Sequence, residues 1–305
     1  MSGLGADDPA FFPPQVVVDV KALACALPKE RGLPFSRLSH ADIAAEVVSR
    51  GIVGSISDMT VWRWLSADAI RPWCHRSWIF PRDPNFAAKA ALVLDVYHGV
   101  WAGEPLGPND YVISSDEKTS IQARKRITPG TPPAAGCRRK VEAEYERMGA
   151  LAYLAAWDVH RAKVFGICTP TTGIDPFHKL VDLVMSQEPY RSARRVFWVT
   201  DNGSSHRGES SVRRLKKWYP NAIQVHTPVH ASWLNQIEIY FSVVQRKALT
   251  PNELNNLAEV EDHLMAFQSY YETVATPFEW KFTKDDLHRL LEKLDDQKAE
   301  QCKAA

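Results

Sequence analysis

Apolar positions recur at helical spacing through residues 15–80, and after residue 110 they form short strand-like runs alternating with helices, so the chain divides by the period of its own pattern. In the first part Gln15 to Leu27 predicts a helix, Ser39 caps a second that runs to about Ser49, and Ser57 caps a third through Leu65. Gly51 and Gly54 punctuate the link between the last two. Two short helices around a glycine-containing turn predict a helix-turn-helix over residues 15–80, with S-D-M-T-V-W-R-W-L as the helix that would enter a DNA groove. Helical spacing assigns Val61, Trp62 and Leu65 to the core and leaves Thr60 and Arg63 facing outward. Arg50, Arg71, Arg76 and Arg82 add positive charge nearby, against Asp58 and Asp68. A small helical domain that binds protein fits the same pattern.

Residues 81–108 hold Pro81, Pro84, Pro105 and Pro108 around one apolar helix, Phe86 to Trp101, and are expected to connect two domains. Tyr111 to Ser115 is a short apolar run ending at Asp116. A proline-rich basic loop, Arg124 to Lys140, separates it from two further strand-like runs, Leu151 to Trp157 and Lys163 to Cys168, with D-V-H-R as the turn of a hairpin. Then come a helix from about Pro176 to Ser186, the strand V-F-W-V-T at 196–200 and a basic helix near Ser210 to Trp218. A strand at Ile223 to His226 and a helix from about Ser232 to Lys247 complete the order. Three strands, helix, strand, helix, strand, helix makes a mixed sheet covered by helices, here over residues 109–290. The polar residues 291–305 are expected to form a flexible tail.

Composition excludes some classes. No apolar run approaches the roughly 18 residues of a membrane span, and Met1 to Pro14 lacks the order of a secretory signal, which points to a cytoplasmic protein. The five cysteines are scattered and contain no C-x-x-C pair, against a disulfide framework or a zinc cluster. The net charge of +1 hides an uneven distribution. Residues 1–110 carry 10 Lys/Arg against 12 Asp/Glu, residues 111–228 carry 19 against 11, and residues 229–305 carry 8 against 13. A basic middle segment suits a polyanionic partner, although a solvated charged face would look the same.

Three acids stand where such a fold gathers them. Asp116 ends the first strand, Asp201 follows the fourth, and Glu238 lies on the helix after the fifth. Ends of neighbouring strands share one sheet edge, and a helix packed across that edge brings a third acid to it. Converging carboxylates suit phosphodiester chemistry, in which two divalent ions roughly 3.5–4 Å apart stabilise the entering and leaving oxygens. Magnesium prefers carboxylate oxygens and keeps several waters, so no His/Cys cage is needed. In this reading Asp116 bridges both ions, Asp201 holds one and Glu238 the other. Plainer roles exist for each. D-N-G-S-S-H at 201–206 reads as a turn, and Glu238 borders the apolar stripe Leu234, Ile237, Phe241 and Val244, where a salt bridge would serve. Glu117 rivals Asp116, but strand alternation sends the two to opposite faces.

The segments Y-V-I-S-S-D-E-K-T-S-I-Q-A, F-W-V-T-D-N-G-S-S-H-R-G and P-V-H-A-S-W-L-N-Q-I-E-I-Y-F-S resemble, in order, the acid-bearing blocks of mariner-related bacterial transposases of the insertion sequence six-thirty family. The resemblance spans roughly residues 15–290. It implies an α/β fold with a ribonuclease-H-like mixed five-stranded sheet flanked by helices, preceded by a small all-α helix-turn-helix domain. It also implies an Asp-Asp-Glu triad at Asp116, Asp201 and Glu238 and two magnesium ions, for which manganese would substitute. The activity implied is cutting at the ends of a mobile element, after which the freed 3′-hydroxyl attacks target DNA, typically at a T-A dinucleotide. The partners implied are double-stranded DNA with terminal inverted repeats, target DNA, and a second copy of the chain to bring two ends together, at the bacterial nucleoid. The chain departs from the family at His230, Ala231, Ser232 and Gln236, where relatives often carry a tyrosine-serine-proline and a proline before the isoleucine-glutamate pair. Relatives also usually carry two helix-turn-helix units where one is read here, which predicts a shortened copy with weakened recognition of transposon ends.

Further candidates surround the triad. Asn202, His206 and Arg207 are placed to contact the scissile phosphate, with His206 equally readable as a surface loop residue, and Asn235 and Gln236 flank the last acid. Lys118, Arg124, Lys125, Arg126, Arg138, Arg139 and Lys140 surround the loop after Asp116 as candidate backbone contacts, as do Thr60, Arg63 and Arg71 on the helix-turn-helix. Two other functions fit the same residues: a related nuclease without strand transfer, and a catalytically silent DNA-binding relic. The helix-turn-helix argues against the first, and intact acids argue against the second. A glycosidase with paired acids needs neither a basic middle segment nor a DNA-reading module.

Overall fold

The computed structural model describes residues 12–74, 81–203 and 206–304, with side chains as far as residue 296. The chain forms two units, Met1–Ile79 and Phe80–Ala305. In the first, α1 (Pro14–Cys25), α2 (His40–Ser49) and α3 (Asp58–Ala67) close around Val20, Leu23, Ile43, Val47, Val61 and Leu65. Local chemistry sets the helix ends. The Ser39 hydroxyl accepts from Asp42 N while the Asp42 carboxylate accepts from Ser39 N, a capping box. Gly51, at φ +68°, lets the chain turn back so that its N–H reaches Val48 O and that of Ile52 reaches Val47 O.

Two side-chain assignments on α3 are corrected. Thr60, expected to face outward, is fully buried, because the first turn draws its hydroxyl to Ser57 Oγ at 2.9 Å. Trp62, expected in the core, is 43% exposed, and Trp64 packs instead, edge-on to Phe12. Residues 61, 64 and 65 share one helical face, and position 62 falls off it. Arg63 and Arg71 are exposed, and Arg76 lies outside the described residues.

The second unit is built on a five-stranded sheet in the order β5-β4-β3-β6-β7. These are β3 (Asp110–Lys125), β4 (Glu146–Asp158), β5 (Lys163–Thr169), β6 (Arg195–Thr200) and β7 (Ala222–His226), after a small hairpin of β1 (Val100–Trp101) and β2 (Glu104–Pro105). Strands β3, β4 and β5 are antiparallel neighbours, and β6 and β7 run parallel to β3. Alternation sends Val112, Tyr153, Trp157, Phe197 and Val199 to one face, under α4 (Phe86–Tyr97), α7 (Ile237–Lys247) and α8 (Leu257–Val274). It sends Ile113, Leu154, Ala156 and Trp198 to the other, under α5 (Ile174–Met185) and α6 (Gly208–Trp218). The hairpin turn between β4 and β5 is held by Asp158, whose carboxylate accepts from His160 N, Arg161 N and the Tyr190 hydroxyl.

Four elements differ from the sequence expectation. Helix α4, read as a connector, is part of this unit, with Val93, Val96 and Tyr97 against the sheet and Phe86, Ala90 and Leu94 in a second cluster with Leu287. An apolar helix buried on two sides gives the same composition as a linker helix. Strand β3 does not stop at Asp116 but runs on with β4 as a long ribbon, with one extra residue between Lys118 and Ile121 where Ser120 adopts φ +58°. Helix α7 starts at Ile237 rather than Ser232, after a short 3₁₀ turn. Residues 291–304 belong to a helix, α9 (Lys284–Ala304), where a flexible tail is expected. Among the described residues no helix is long and apolar enough to cross a membrane.

Candidate active site

In the parallel β3–β6 pair, Ser114 stands opposite Val199. Asp116 lies two residues beyond that pair on β3 and Asp201 follows the end of β6, near enough for the Asp201 charge to act on the Asp116 carboxyl. Asp201 leaves the end of β6 in a tight turn. Gly203 N donates to its Oδ1 at 2.7 Å, and Asn202 Nδ2 donates to Thr227 O across to the end of β7. A β-carbon at Gly203 would come within 2.9 Å of Asp201 Oδ1, so a side chain there would push the Asp201 carboxylate from its place. The turn that D-N-G predicts is formed, with the Asp201 carboxylate folded back onto Gly203 N. A cavity of about 300 Å³ opens beside it, lined by Asp201, Asn202, Thr227 and residues 228–232.

Glu238 sits in the first turn of α7, and a buried network joins that turn to β3. Asn235 Nδ2 donates to Ser115 O (2.9 Å) and to Asp116 Oδ2 (3.3 Å). Ser114 Oγ donates to Asn235 Oδ1 (2.5 Å) and accepts from Ile237 N (2.9 Å), while the Tyr97 hydroxyl accepts from Gln236 N (3.2 Å). Ser114, Asn235 and Gln236 are all buried. Asn235, a candidate DNA contact by sequence, thus faces inward and orients an acid. No sequence pattern marks this, because Ser114 and Asn235 meet only in the folded chain.

His206 is a second correction. Its ring is 1% exposed, edge-on to Phe177, with Nε2 3.2 Å from Glu117 Oε1 and 3.8 Å from Asp201 Oδ1. It is neither a surface loop residue nor open to a DNA backbone. Alternation does send Glu117 to the α5 face, yet through His206 it remains tied to the Asp201 turn.

The acids repel one another. Burial, then the Asp201 charge, then those of Glu117 and Glu238 push the Asp116 carboxyl up to about 8. Burial and Asp201 also raise Glu238, against the pull of Lys118. Burial holds the Lys118 ammonium below its ordinary value, and Glu238 pushes back. Carboxylates that share a site at such cost fit a hard divalent cation, which would replace the missing charge and favour the ionised forms. Among the described residues no group of three or more His, Cys, Asp or Glu side chains is placed to hold a metal ion by itself, so the protein presents no closed cage. Magnesium, which keeps waters and substrate oxygens as ligands, does not need such a cage.

Several other basic candidates are engaged elsewhere in the fold. Arg124 rests on the Tyr145 ring, 4.7 Å from its centre, and Arg126 donates to the carbonyls of Asn252 and Glu142. Arg139 pairs with Glu253. Lys125 and Arg207 are exposed, and Thr60, Arg63 and Arg71 belong to the first unit.

Comparison with known proteins bears on this geometry. Residues 112–261, which include all three acids and Asn235, match the family described as DDE superfamily endonuclease. Among solved structures the chain is similar to the Mos1 mariner paired end complex with Mn, at 12% identity over 93% of this chain and 78% of that one, with a TM-score of 0.52. It is also similar to the Mos1 strand transfer complex, at 13% identity over 93% and 78%, and to the Mos1 paired end complex with Mg, at 13% over 98% and 83%, each with a TM-score of 0.50. The likeness is one of fold, a ribonuclease-H-like sheet flanked by helices with a helical region before it. No curated protein matches the sequence.

Proposed function

We propose, from the match of residues 112–261 to the DDE superfamily of endonucleases, that this protein is a transposase that cuts DNA at the ends of a mobile element and joins the freed 3′-hydroxyl end to target DNA. The observation that carries this reading is the mutual influence of Asp116, Asp201 and Glu238, with the Asp116 carboxyl raised to about 8 by burial and then by its acidic neighbours. In this reading these residues are the catalytic acids. Two divalent cations, magnesium or manganese, would be held by them and would supply charge stabilisation to the entering and leaving oxygens of a phosphodiester. Asn235 donates to the Asp116 carboxylate, and Ser114, which donates to Asn235, accepts from Ile237 N at the start of α7, so the protein itself sets where Glu238 stands relative to β3. His206 and Gly203 set the Asp201 turn. Lys118, beside Glu238, offsets charge where a phosphate would enter.

The partner is double-stranded DNA, with Arg63 and Arg71 of the first unit and Lys118, Lys125 and Arg207 of the second as backbone contacts. The Mos1 relatives are paired end and strand transfer complexes, which supports a pair of chains acting on two DNA ends. The test is incubation of labelled DNA bearing the element's inverted repeats with magnesium or manganese, comparing the protein with Asp201→Ala. Metal-dependent nicking that the substitution abolishes, together with joined products, is the expected result. Cut but never joined DNA would make the protein a nuclease. Binding without any cutting would sink the catalytic reading.

A further inference from the structure

Opposite Asp201, the cavity wall is the loop that leaves β7 at Thr227 and reaches the 3₁₀ turn before α7. Its two ends are fixed by the fold. Thr227 N donates to Thr200 O at 2.9 Å, and Ala231 is buried with Phe86, Ala90 and Leu94 of α4. Its middle is fixed by Asp83. That carboxylate, 4% exposed, accepts from Val229 N at 3.1 Å and Asn85 N at 2.9 Å, and pairs with Lys89 Nζ at 2.8 Å. Ala231 N closes the bend on Pro228 O at 3.1 Å. Between these bonds His230 adopts φ +62°, a left-handed backbone that glycine takes at less cost. Such a conformation persists where its surroundings over-determine it, and it gathers at ligand sites. The His230 side chain is exposed, lines the cavity with Asp201, and has no hydrogen bond or ion pair among the described residues.

We propose that His230 is a substrate-binding residue, its imidazole donating to a backbone phosphate of the DNA strand that reaches Asp201, and that Asp83 is the positioning residue that aims it. Ser232 adds an exposed hydroxyl to the same wall, and Thr227 a buried one without a hydrogen-bond partner among the described residues. Asp201 is the single acid among the described residues of this lining. Donors gathered beside one carboxylate suit the anionic oxygens of a phosphate. The backbone at His230 gives the assignment a signature. A histidine kept there for packing would cost stability when replaced by glycine, whereas one kept there for binding would cost affinity alone. The proposal rests on the reading of the protein as a DNA-cutting enzyme.

The test uses the full-length protein and labelled duplex bearing the element's end, in EDTA for binding and in magnesium for cutting, with Tm measured alongside. His230→Gly should melt no lower than the unaltered protein and bind about tenfold more weakly, as for one lost hydrogen bond to a charged group. It should raise KM and leave the magnesium concentration for half-maximal rate unchanged. His230→Asn, which tolerates the same backbone and keeps a donor, should recover most of the affinity. Neutral methylphosphonates placed one at a time around the cut site should cost the unaltered protein a similar factor at one position and cost His230→Gly nothing there. Asp83→Ala should also weaken binding, and add little to His230→Gly. A lower Tm for Gly and Asn alike, or full additivity of His230→Gly with every methylphosphonate, would overturn the proposal. If His230→Gly binds and cuts DNA as well as the unaltered protein, the role of His230 fails and the transposase reading stands. If the unaltered protein neither binds nor cuts this DNA, both fail.

Discussion

Asn235 never faces solvent, yet its amide contacts the backbone of β3, the Asp116 carboxylate and the hydroxyl that caps the start of α7. A side chain so placed acts through Asp116 rather than on DNA. Residues that orient metal-binding carboxylates typically change activity or metal affinity by about 10- to 100-fold when removed. Asn235→Ala should therefore lower kcat for cleavage in that range and raise the magnesium concentration needed for half-maximal rate, with KM for DNA unchanged. A rise in KM at constant kcat would return Asn235 to the DNA-contact role that its sequence position suggests. The same contrast explains what can be read at this scale. The nearness of Asp116 and Asp201 is legible because each follows an apolar strand run that can be counted along the chain. Asn235 and His206 are not, because their burial depends on partners 121 and 89 residues away, Ser114 and Glu117.

At the scale of elements, β3 is anchored at both ends. Its extension past Asp116 is invisible in sequence because E-K-T-S-I-Q-A-R-K lacks an apolar run and is held by pairing with β4 instead. The early start predicted for α7 has a similar cause: Leu234 and Ile237 keep helical spacing through a 3₁₀ turn. The other end of β3 begins at Asp110, whose buried carboxylate accepts from Arg194 and Arg195 at the start of β6. The Arg194 guanidinium, then Arg195, hold Asp110 well below the usual carboxylate range. Removing one partner of a buried pair costs 3–5 kcal/mol, but Arg194 is largely exposed, so Asp110→Asn should destabilise the unit by about 2 kcal/mol at neutral pH. The sign with pH is fixed. A carboxyl lowered by folding contributes its full stability above the unfolded value, about 3.9, and loses it as pH falls through the folded value. Urea unfolding should therefore show a constant gap between the two proteins at neutral pH that closes in acid. A gap that persists in acid would mean that the contribution is packing and not charge.

For the whole molecule, two units with separate cores invite separate unfolding events, and only Phe80–Ala305 carries the acids. Folding of that unit brings Asp116 against Asp201, Glu117 and Glu238, which opposes stability while no cation is present. A cation that binds only the folded unit stabilises it by about 2.7 kcal/mol at a hundredfold excess over its Kd. For a unit of this size that corresponds to a rise of about 5–10 °C in Tm. Calorimetry should show magnesium raising one transition and leaving that of Met1–Ile79 in place. Asp116→Asn removes both the repulsion and a ligand, so its second unit should melt higher than the unaltered protein in EDTA and respond less to magnesium. If the substitution lowers Tm in EDTA, the acids are held by a partner within the fold and the carboxylate cluster is structural. If both transitions rise with magnesium, the ion acts on general surface charge, and the three acids lose their claim to it.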